Sequence, residues 1–332
     1  MSEPEAPIDA AAGQPVLEVR GLRRVFKSRR GEVEAVAGVD LRVNRGEIFG
    51  FLGPNGAGKT TTLRMLATLL PPTSGEATVA GADLLKEQKL VRERIGYVGQ
   101  AGGSDPEVSG RRELVLQGRL YGMSHADASE RATRLFEMLE LTDAADRKVG
   151  TYSGGQKQRL HIALGLIHEP QLLFLDEPTT GLDPQSRVRL WEEIRKLRDR
   201  GTTVFLTTHY LEEADALCDR LAIIDHGKIV AEGTPEELKR QVAGDVITLG
   251  VTGDREPAAL KALEKQKWVR EASLEDGVVR LYVENGEAAM PQILRLLEGA
   301  KLELRTISLS RPSLDDVFLR QTGRALRDEE AA

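Results

Sequence analysis

Gly53-Pro54-Asn55-Gly56-Ala57-Gly58-Lys59-Thr60-Thr61 follows the apolar run Ile48-Phe49-Gly50-Phe51-Leu52 and precedes a segment of helical character. The spacing G-x-x-x-x-G-K-[ST] between a strand and a helix is what a bound triphosphate requires. Glycines let backbone N–H groups curl around phosphate oxygens, and the helix N-terminus adds the positive end of its dipole. Lys59 is placed to reach the β- and γ-phosphates, and the Thr60 hydroxyl to complete a Mg²⁺ shell. A glycine-rich turn with a chance lysine would not fill every fixed position in that context. Gly53, Pro54, Asn55, Gly56, Ala57, Gly58, Lys59, Thr60 and Thr61 are therefore candidate nucleotide-binding residues.

Outward from this loop the chain reads as an α/β protein. Val16 to Val19 and Ala35 to Val43 alternate as strands do. The helix after Gly58 is expected to run to about Leu70 and stop at Pro71-Pro72. Ser109 to Lys148 reads mostly as helix, with Leu135, Met138 and Leu139 at helical spacing. Buried-type strands are expected at Leu172–Leu175, Thr203–Leu206, Leu221–Ile224 and Lys228–Ala231, with a helix from Pro184 to Arg198. Continuously apolar strands alternating with helices indicate a parallel sheet covered on both faces.

The strand Leu172–Leu175 ends in Asp176-Glu177. A carboxylate at the strand tip can hold Mg²⁺ through water, and the next one can orient and polarise an attacking water. Adjacent carboxylates alone would be a solvated strand end; downstream of a phosphate loop they point to triphosphate hydrolysis.

Tyr152-Ser153-Gly154-Gly155-Gln156, followed by the helix Lys157 to Ile167, carries a family resemblance. Here the chain resembles the ATP-binding cassette (ABC) ATPases, whose signature is usually Leu-Ser-Gly-Gly-Gln just upstream of the acidic strand. The motif is a second helix N-terminus with a serine hydroxyl, suited to a triphosphate. The resemblance implies a P-loop cassette with a mixed sheet core and a helical subdomain at about 101–165. It also implies a head-to-tail homodimer with two ATP molecules between phosphate loop and signature.

Further positions follow in order. Gln100 corresponds to the glutamine whose loop senses Mg²⁺ and the membrane partner. Gly181-Leu182-Asp183 resembles the loop that crosses the dimer interface, and His209 matches the switch histidine near the γ-phosphate. Phe26 lies where the family places an aromatic that stacks on adenine, although a lone Phe on a strand is more often core. The expected metal set is Thr60, Gln100 and Asp176, and the expected catalytic set Glu177, His209 and Lys59. His125, His161, His168 and His226 match no motif and read as surface or second-layer residues.

Composition narrows what the ATP is used for. At 332 residues, with about 150 per domain, the chain has room for two domains. A net charge of −6 and a pI of about 5.6 argue against coating nucleic acid. The single cysteine, Cys218, excludes an internal disulfide framework and a cysteine zinc site. There is no heptad run and one cassette only, against the chromosome-maintenance and ribosome-acting ABC types respectively. A soluble ABC ATPase on nucleic acid or ribosomes, and an ATP-gated assembly module, are the competing readings. The best fit is the peripheral ATPase subunit of a membrane transporter, held at the cytoplasmic face by a separate permease. No apolar run approaches the ~18 residues of a membrane span, and residues 1–14 read as a flexible leader without a signal peptide.

The remainder, 245–322, reads as β-α-β-β-α-β, a ferredoxin-like arrangement, followed by a helix from Ser313 to Gln321 and a flexible tail, 323–332. The ABC cassette is expected over 15–240. Leu249, Leu263, Val279, Leu281 and Leu294 are the expected small-domain core. Leu314, Val317 and Phe318, at helical spacing, are candidates for docking on the cassette or a partner chain. Gln100 to Tyr121 and Arg311-Pro312-Ser313-Leu314-Asp315-Asp316-Val317-Phe318-Leu319 are similar to the drug-export group typified by the daunorubicin-resistance ATP-binding proteins. Gln156-Lys157-Gln158-Arg159 instead follows the general ABC consensus. The resemblance implies export of a drug, antibiotic or other hydrophobic compound.

Overall fold

The computed structural model describes residues 15–28, 31–100, 102–241, 244–253, 255–275, 277–310 and 312–323. The expected leader 1–14, the tail from 324, Asp276 and Arg311 lie outside the described residues. The chain forms two compact units that divide between Thr234 and Pro235.

The first unit opens with a long antiparallel hairpin, β1 (Pro15–Ser28) and β2 (Gly31–Asn44). Next come β3 (Ile48–Leu52), α1 (Lys59–Leu66), β4 (Ser74–Val79), β5 (Ala82–Asp83), α2 (Gln88–Arg94) and β6 (Ile95–Val98). A helical stretch follows: α3 (Gly110–Leu120), α4 (His125–Met138) and α5 (Gly154–Leu166). The unit closes with β7 (Leu172–Asp176), α6 (Pro184–Asp199), β8 (Thr203–Thr208), α7 (Leu211–Leu217), β9 (Arg220–Asp225) and β10 (Lys228–Gly233).

Two sheets share one core. The six-stranded sheet has the order β10-β9-β3-β8-β7-β6, and the smaller antiparallel sheet the order β2-β1-β4-β5. Every residue of β3, β7 and β8 is buried, the polar ends Asp176, Thr203, Thr207 and Thr208 along with the apolar centres. Phe205 of β8 packs with Phe49, Phe51 and Phe174 at centroid separations of 5.6–5.7 Å, which builds the middle of the core. Parallel pairing sets Leu52 beside Thr208 and Asp176 beside Thr207. The segments that follow these strands therefore emerge side by side at one sheet edge, where ligands of open α/β sheets bind.

Two expectations are corrected here. Lys228–Ala231 is not a buried parallel strand: β10 is an antiparallel, half-exposed edge strand that folds back on β9 through His226-Gly227. Helix α1 stops at Leu66 rather than near Leu70, because Thr68 takes a φ of 61° and the N–H groups of Leu69 and Leu70 turn back onto Arg64 O. The prolines lie beyond a stop that the backbone has already made.

The second unit contains α8 (Pro235–Gln241), β11 (Asp245–Val251), α9 (Glu256–Leu263), β12 (Val269–Glu275), β13 (Val278–Val283), α10 (Gly286–Gly299), β14 (Leu304–Ser310) and α11 (Leu314–Thr322). The sheet order is β12-β13-β11-β14, all antiparallel, which is the split βαβ arrangement expected. Ile247, Leu249, Leu263, Val279, Leu281, Ile293 and Leu297 fill its core. Leu294 does not: it is 46% exposed, and α10 turns its neighbours Ile293 and Leu297 inward instead.

The face of β11 and β13 opposite that core carries Val246 and Tyr282, both buried. Helix α11 packs with α8, Arg320 donates to Gln241 O at 2.8 Å, and Arg280 of β13 bonds Asp316 at 3.2 Å. Leu314, Val317 and Phe318 are accordingly 1–2% exposed within the single chain. Their apolar face is already covered, so they are not available to a partner chain. Among the described residues no helix is long and apolar enough to cross a membrane.

Candidate nucleotide site

The loop between β3 and α1 is built around its own lysine. Gly58 stands at the N-cap of α1 with a φ of 105°, and a Cβ there would meet Ala35 O at 2.3 Å. Only glycine satisfies both demands. Gly227 N donates to Ala57 O at 2.9 Å, and Ala37 N to Gly227 O at 2.8 Å, so the β9–β10 turn and β2 brace the loop from outside. Lys59, 4% exposed, donates to Gly53 O at 2.7 Å and to Pro54 O at 2.9 Å.

The two carboxylates at the end of β7 sit in different surroundings. Asp176 is 1% exposed, and its Oδ1 accepts from Thr60 Oγ1 at 2.9 Å and from Thr207 Oγ1 at 2.8 Å. Its Oδ2 is buried and has no hydrogen-bond partner among the described residues. A buried carboxylate oxygen left open beside a threonine hydroxyl fits a hydrated Mg²⁺, which takes one or two carboxylates and completes its shell with water and phosphate.

Glu177 turns away from the strand with a φ of 48°, held by its N–H donating to Thr207 Oγ1 at 3.0 Å. Its carboxylate lies 3.4 Å from Lys59 Nζ and 3.2 Å from His209 Nδ1, and Gln100 Nε2 donates to it at 3.2 Å. Burial pushes the Glu177 carboxyl up, but His209 and Lys59 outweigh it and hold it at about 2. The group is a carboxylate across the physiological range.

These residues enclose a cavity of about 200 Å³ lined by Ala35, Asn55, Gly56, Gly58, Lys59, Thr60, Thr61, Gln100 and Glu177. The structure thus brings the phosphate loop, Gln100 and Glu177 together, with Asp176 and His209 in contact with the lining. Ser153, Gly154, Gly155, Gln156, Asp183 and Phe26 do not line it. Ser153 caps α5 through a reciprocal box with Gln156, and Asp183 caps α6 by accepting from Ser186 N at 2.9 Å. The two helix starts are neighbours, since a Cβ on Gly155 would meet Ser186 Oγ at 3.3 Å. Phe26 is not core: it is 38% exposed, with the Arg24 guanidinium 4.7 Å from its ring centroid.

Two contributors match no motif. Thr207 holds both Asp176 and the Glu177 N–H, and its signal was its place two residues before His209 on a strand that pairs with β7. Ala35 has no sequence signal, because it reaches the cavity through the hairpin. Of the unassigned histidines, His168 is half-buried: it bonds Ile95 O at 2.8 Å and stacks on Tyr121 at 3.8 Å. His161, also half-buried, stands against Gly102, where a Cβ would meet its ring at 2.2 Å.

Residues 36–180 match the ABC transporter family model, and residues 233–322 match the C-terminal domain of DrrA1-3-like ATP-binding proteins. The chain is 46% identical over 308 residues to a daunorubicin resistance ATP-binding protein of Streptomyces coeruleorubidus, covering 92% of this chain and 96% of the relative. It is 46% identical over 321 residues to a daunorubicin/doxorubicin resistance ATP-binding protein of Streptomyces peucetius, covering 95% and 96%. A linearmycin resistance ATP-binding protein of Bacillus subtilis is 37% identical over 306 residues, covering 91% and 98%. Among solved structures, a dimeric ATP-binding cassette in a post-hydrolysis state with ADP and phosphate aligns with a TM-score of 0.60 and 27% identity, covering 66% of this chain and 98% of that one. This chain belongs to the ATP-hydrolysing, ATP-binding proteins of the ABC transporter family, in the group with the daunorubicin-resistance proteins.

Proposed function

We propose that two copies of this chain close head to tail around two ATP·Mg²⁺ and drive a separate membrane permease that exports a drug, antibiotic or other hydrophobic compound. One observation carries the dimer. The cavity holds Lys59, Gln100 and Glu177 but none of Ser153–Gln156, whose helix start lies outside it in the same chain. A second copy is the natural source of that missing donor. The export reading is supported by relatives whose names specify resistance to daunorubicin, doxorubicin and linearmycin. The permease would hold the chain at the cytoplasmic face.

In this reading hydrolysis is direct attack of water on the γ-phosphorus, with the bond to the bridging oxygen breaking so that ADP leaves. Lys59 leaves the Gly53 and Pro54 carbonyls for the phosphate oxygens, and backbone N–H groups of the loop complete the cradle. Thr60, Gln100 and, through water, Asp176 would hold Mg²⁺, which when bound would neutralise phosphate charge. Glu177 orients the attacking water and accepts its proton, and His209 holds Glu177 and the γ-phosphate side in register. Ser153 of each copy donates to the other copy's ATP. Phe26 offers its open face to adenine, and Asp183 sits at the contact between copies.

The test is to tag the Glu177→Gln chain, solubilise its native membranes with ATP·Mg²⁺ present, and identify what copurifies in stoichiometric amount. A polytopic membrane protein without a cassette of its own is expected. A soluble dimer alone, or one bringing ribosomes or nucleic acid, overturns the export reading and leaves the ATPase standing.

A further inference from the structure

Glu213, on α7, is fully buried, and none of the roles above uses it. Its Oε1 accepts from Trp191 Nε1 at 3.0 Å. Trp191 belongs to α6, the helix that Asp183 caps. Thr208 and Thr179 are both buried as well. Thr208 immediately precedes His209, while Thr179 lies between Glu177 and Asp183 in the chain. Glu213 Oε2 and Thr179 Oγ1 are both buried without a completed hydrogen bond among the described residues.

We propose that Glu213 is a positioning residue for ATP hydrolysis, tying the loop of His209 to the segment of Glu177 and Asp183 so that they move as one. The inference rests on the assignment of Glu177 and His209 given above. The two segments leave adjacent strands, β7 and β8, and contact each other at their tips through Glu177 and His209. Without a second tie each can shift separately, and catalysis is sensitive to displacements of about 1 Å. A buried carboxyl group is costly unless its bonds are made. Burial pushes this carboxyl up against the opposing pull of Thr208, Trp191, Thr179 and Arg187. Glutamine keeps the shape and an acceptor oxygen for Trp191 Nε1, so it can make the same tie.

Glu213→Ala, Glu213→Gln and Trp191→Phe in the full chain test this, with kcat, ATP dissociation constant and ATP-binding stoichiometry measured on each preparation. The expected result for Glu213→Ala is a kcat lower by about 10²-fold with ATP affinity and stoichiometry unchanged. Glu213→Gln restores most of the rate, and Trp191→Phe, which removes the N–H and keeps the bulk, falls between. If Glu213→Ala does not fold, the kcat of Trp191→Phe decides. A normal kcat in Glu213→Ala, or a rate lost in proportion to binding stoichiometry, overturns the proposal. Glu177→Gln is run beside them: full turnover there removes the underlying site assignment, whereas an inactive Glu177→Gln beside an active Glu213→Ala removes only the role of Glu213.

Discussion

Lys59 Nζ and Glu177 Oε1 face each other at 3.4 Å, with side chains 4% and 8% exposed. The lysine proposed to hold ATP is thus neutralised by the carboxylate proposed to activate water. In that reading an arriving γ-phosphate would replace Glu177 as the counter-charge of Lys59 and free the carboxylate for a water. Phosphate entry and nucleophile activation would then be linked through one ion pair, and the pair is too well shielded for solvent to do the same work.

Glu177→Gln keeps the shape and removes the base. Turnover is expected to fall by about 10²–10⁴-fold, while ATP binding is retained and an ATP-bound dimer accumulates. Single-turnover hydrolysis and light scattering on the eluted protein measure the two halves. Near-normal turnover would take Glu177 out of catalysis.

The low pKa of Glu177 has a stability consequence. A carboxyl at about 2 in the folded chain, against an ordinary value of 4.5, contributes stabilisation that is complete above 4.5 and is lost as pH falls towards 2. Glu177→Gln is expected to flatten that part of the pH dependence. Urea melts of both proteins between pH 5 and the acid limit check it, through the difference between the two curves.

Asp176→Asn replaces Oδ2 by an amide, which cannot serve a hydrated cation in the same way. Nucleotide affinity without Mg²⁺ is expected to hold, and the gain that Mg²⁺ brings to fall by about 10–100-fold. Titrations of ATP with and without Mg²⁺ measure it. Thr60→Val reports on the same shell from the other side of the 2.9 Å bond.

Tyr152, where the family usually has leucine, buries its hydroxyl and donates to Ala144 O at 2.6 Å. A Cβ on Gly110 would meet that hydroxyl at 2.5 Å, so Gly110 makes the space for it. Tyr152→Phe removes one of the two bonds that Ala144 O accepts, the other coming from Arg147 N at 2.9 Å, and is expected to cost about 0.5–1.5 kcal/mol. The cap of Ser153 on Gln156 N does not involve the ring, so ATP turnover is expected to persist. Thermal unfolding and steady-state rates on one preparation separate the two effects.

Phe318→Ala would remove one of the largest fully buried side chains and leave a cavity between α11 and its neighbours. The expected loss is about 3–5 kcal/mol in the unfolding of the second unit. Circular dichroism in urea measures it, and an unchanged midpoint would mean that α11 does not hold this face closed.

Much of the site was legible because its chemistry depends on residues close together in the chain. The run from Gly53 to Thr61, the pair Asp176-Glu177 and the run Tyr152 to Gln156 each carry their geometry locally, as a turn, a strand end and a helix cap. Likewise the β-α-β-β-α-β order of the second unit follows from strand and helix periods that a sequence displays. Tertiary structure alone decided which of these meet. Sheet pairing sets Thr207 under Asp176, brings His209 and Lys59 onto the same carboxylate, and leaves Ser153 outside the cavity. It also decided that Leu294 faces out while Leu314, Val317 and Phe318 are covered, since a helix's apolar stripe can rotate by a residue without changing its composition. Periodicity is a property of neighbours along the chain; the Lys59–Glu177–His209 cluster and the Glu213 network are set by strand register between distant segments, which no local pattern encodes.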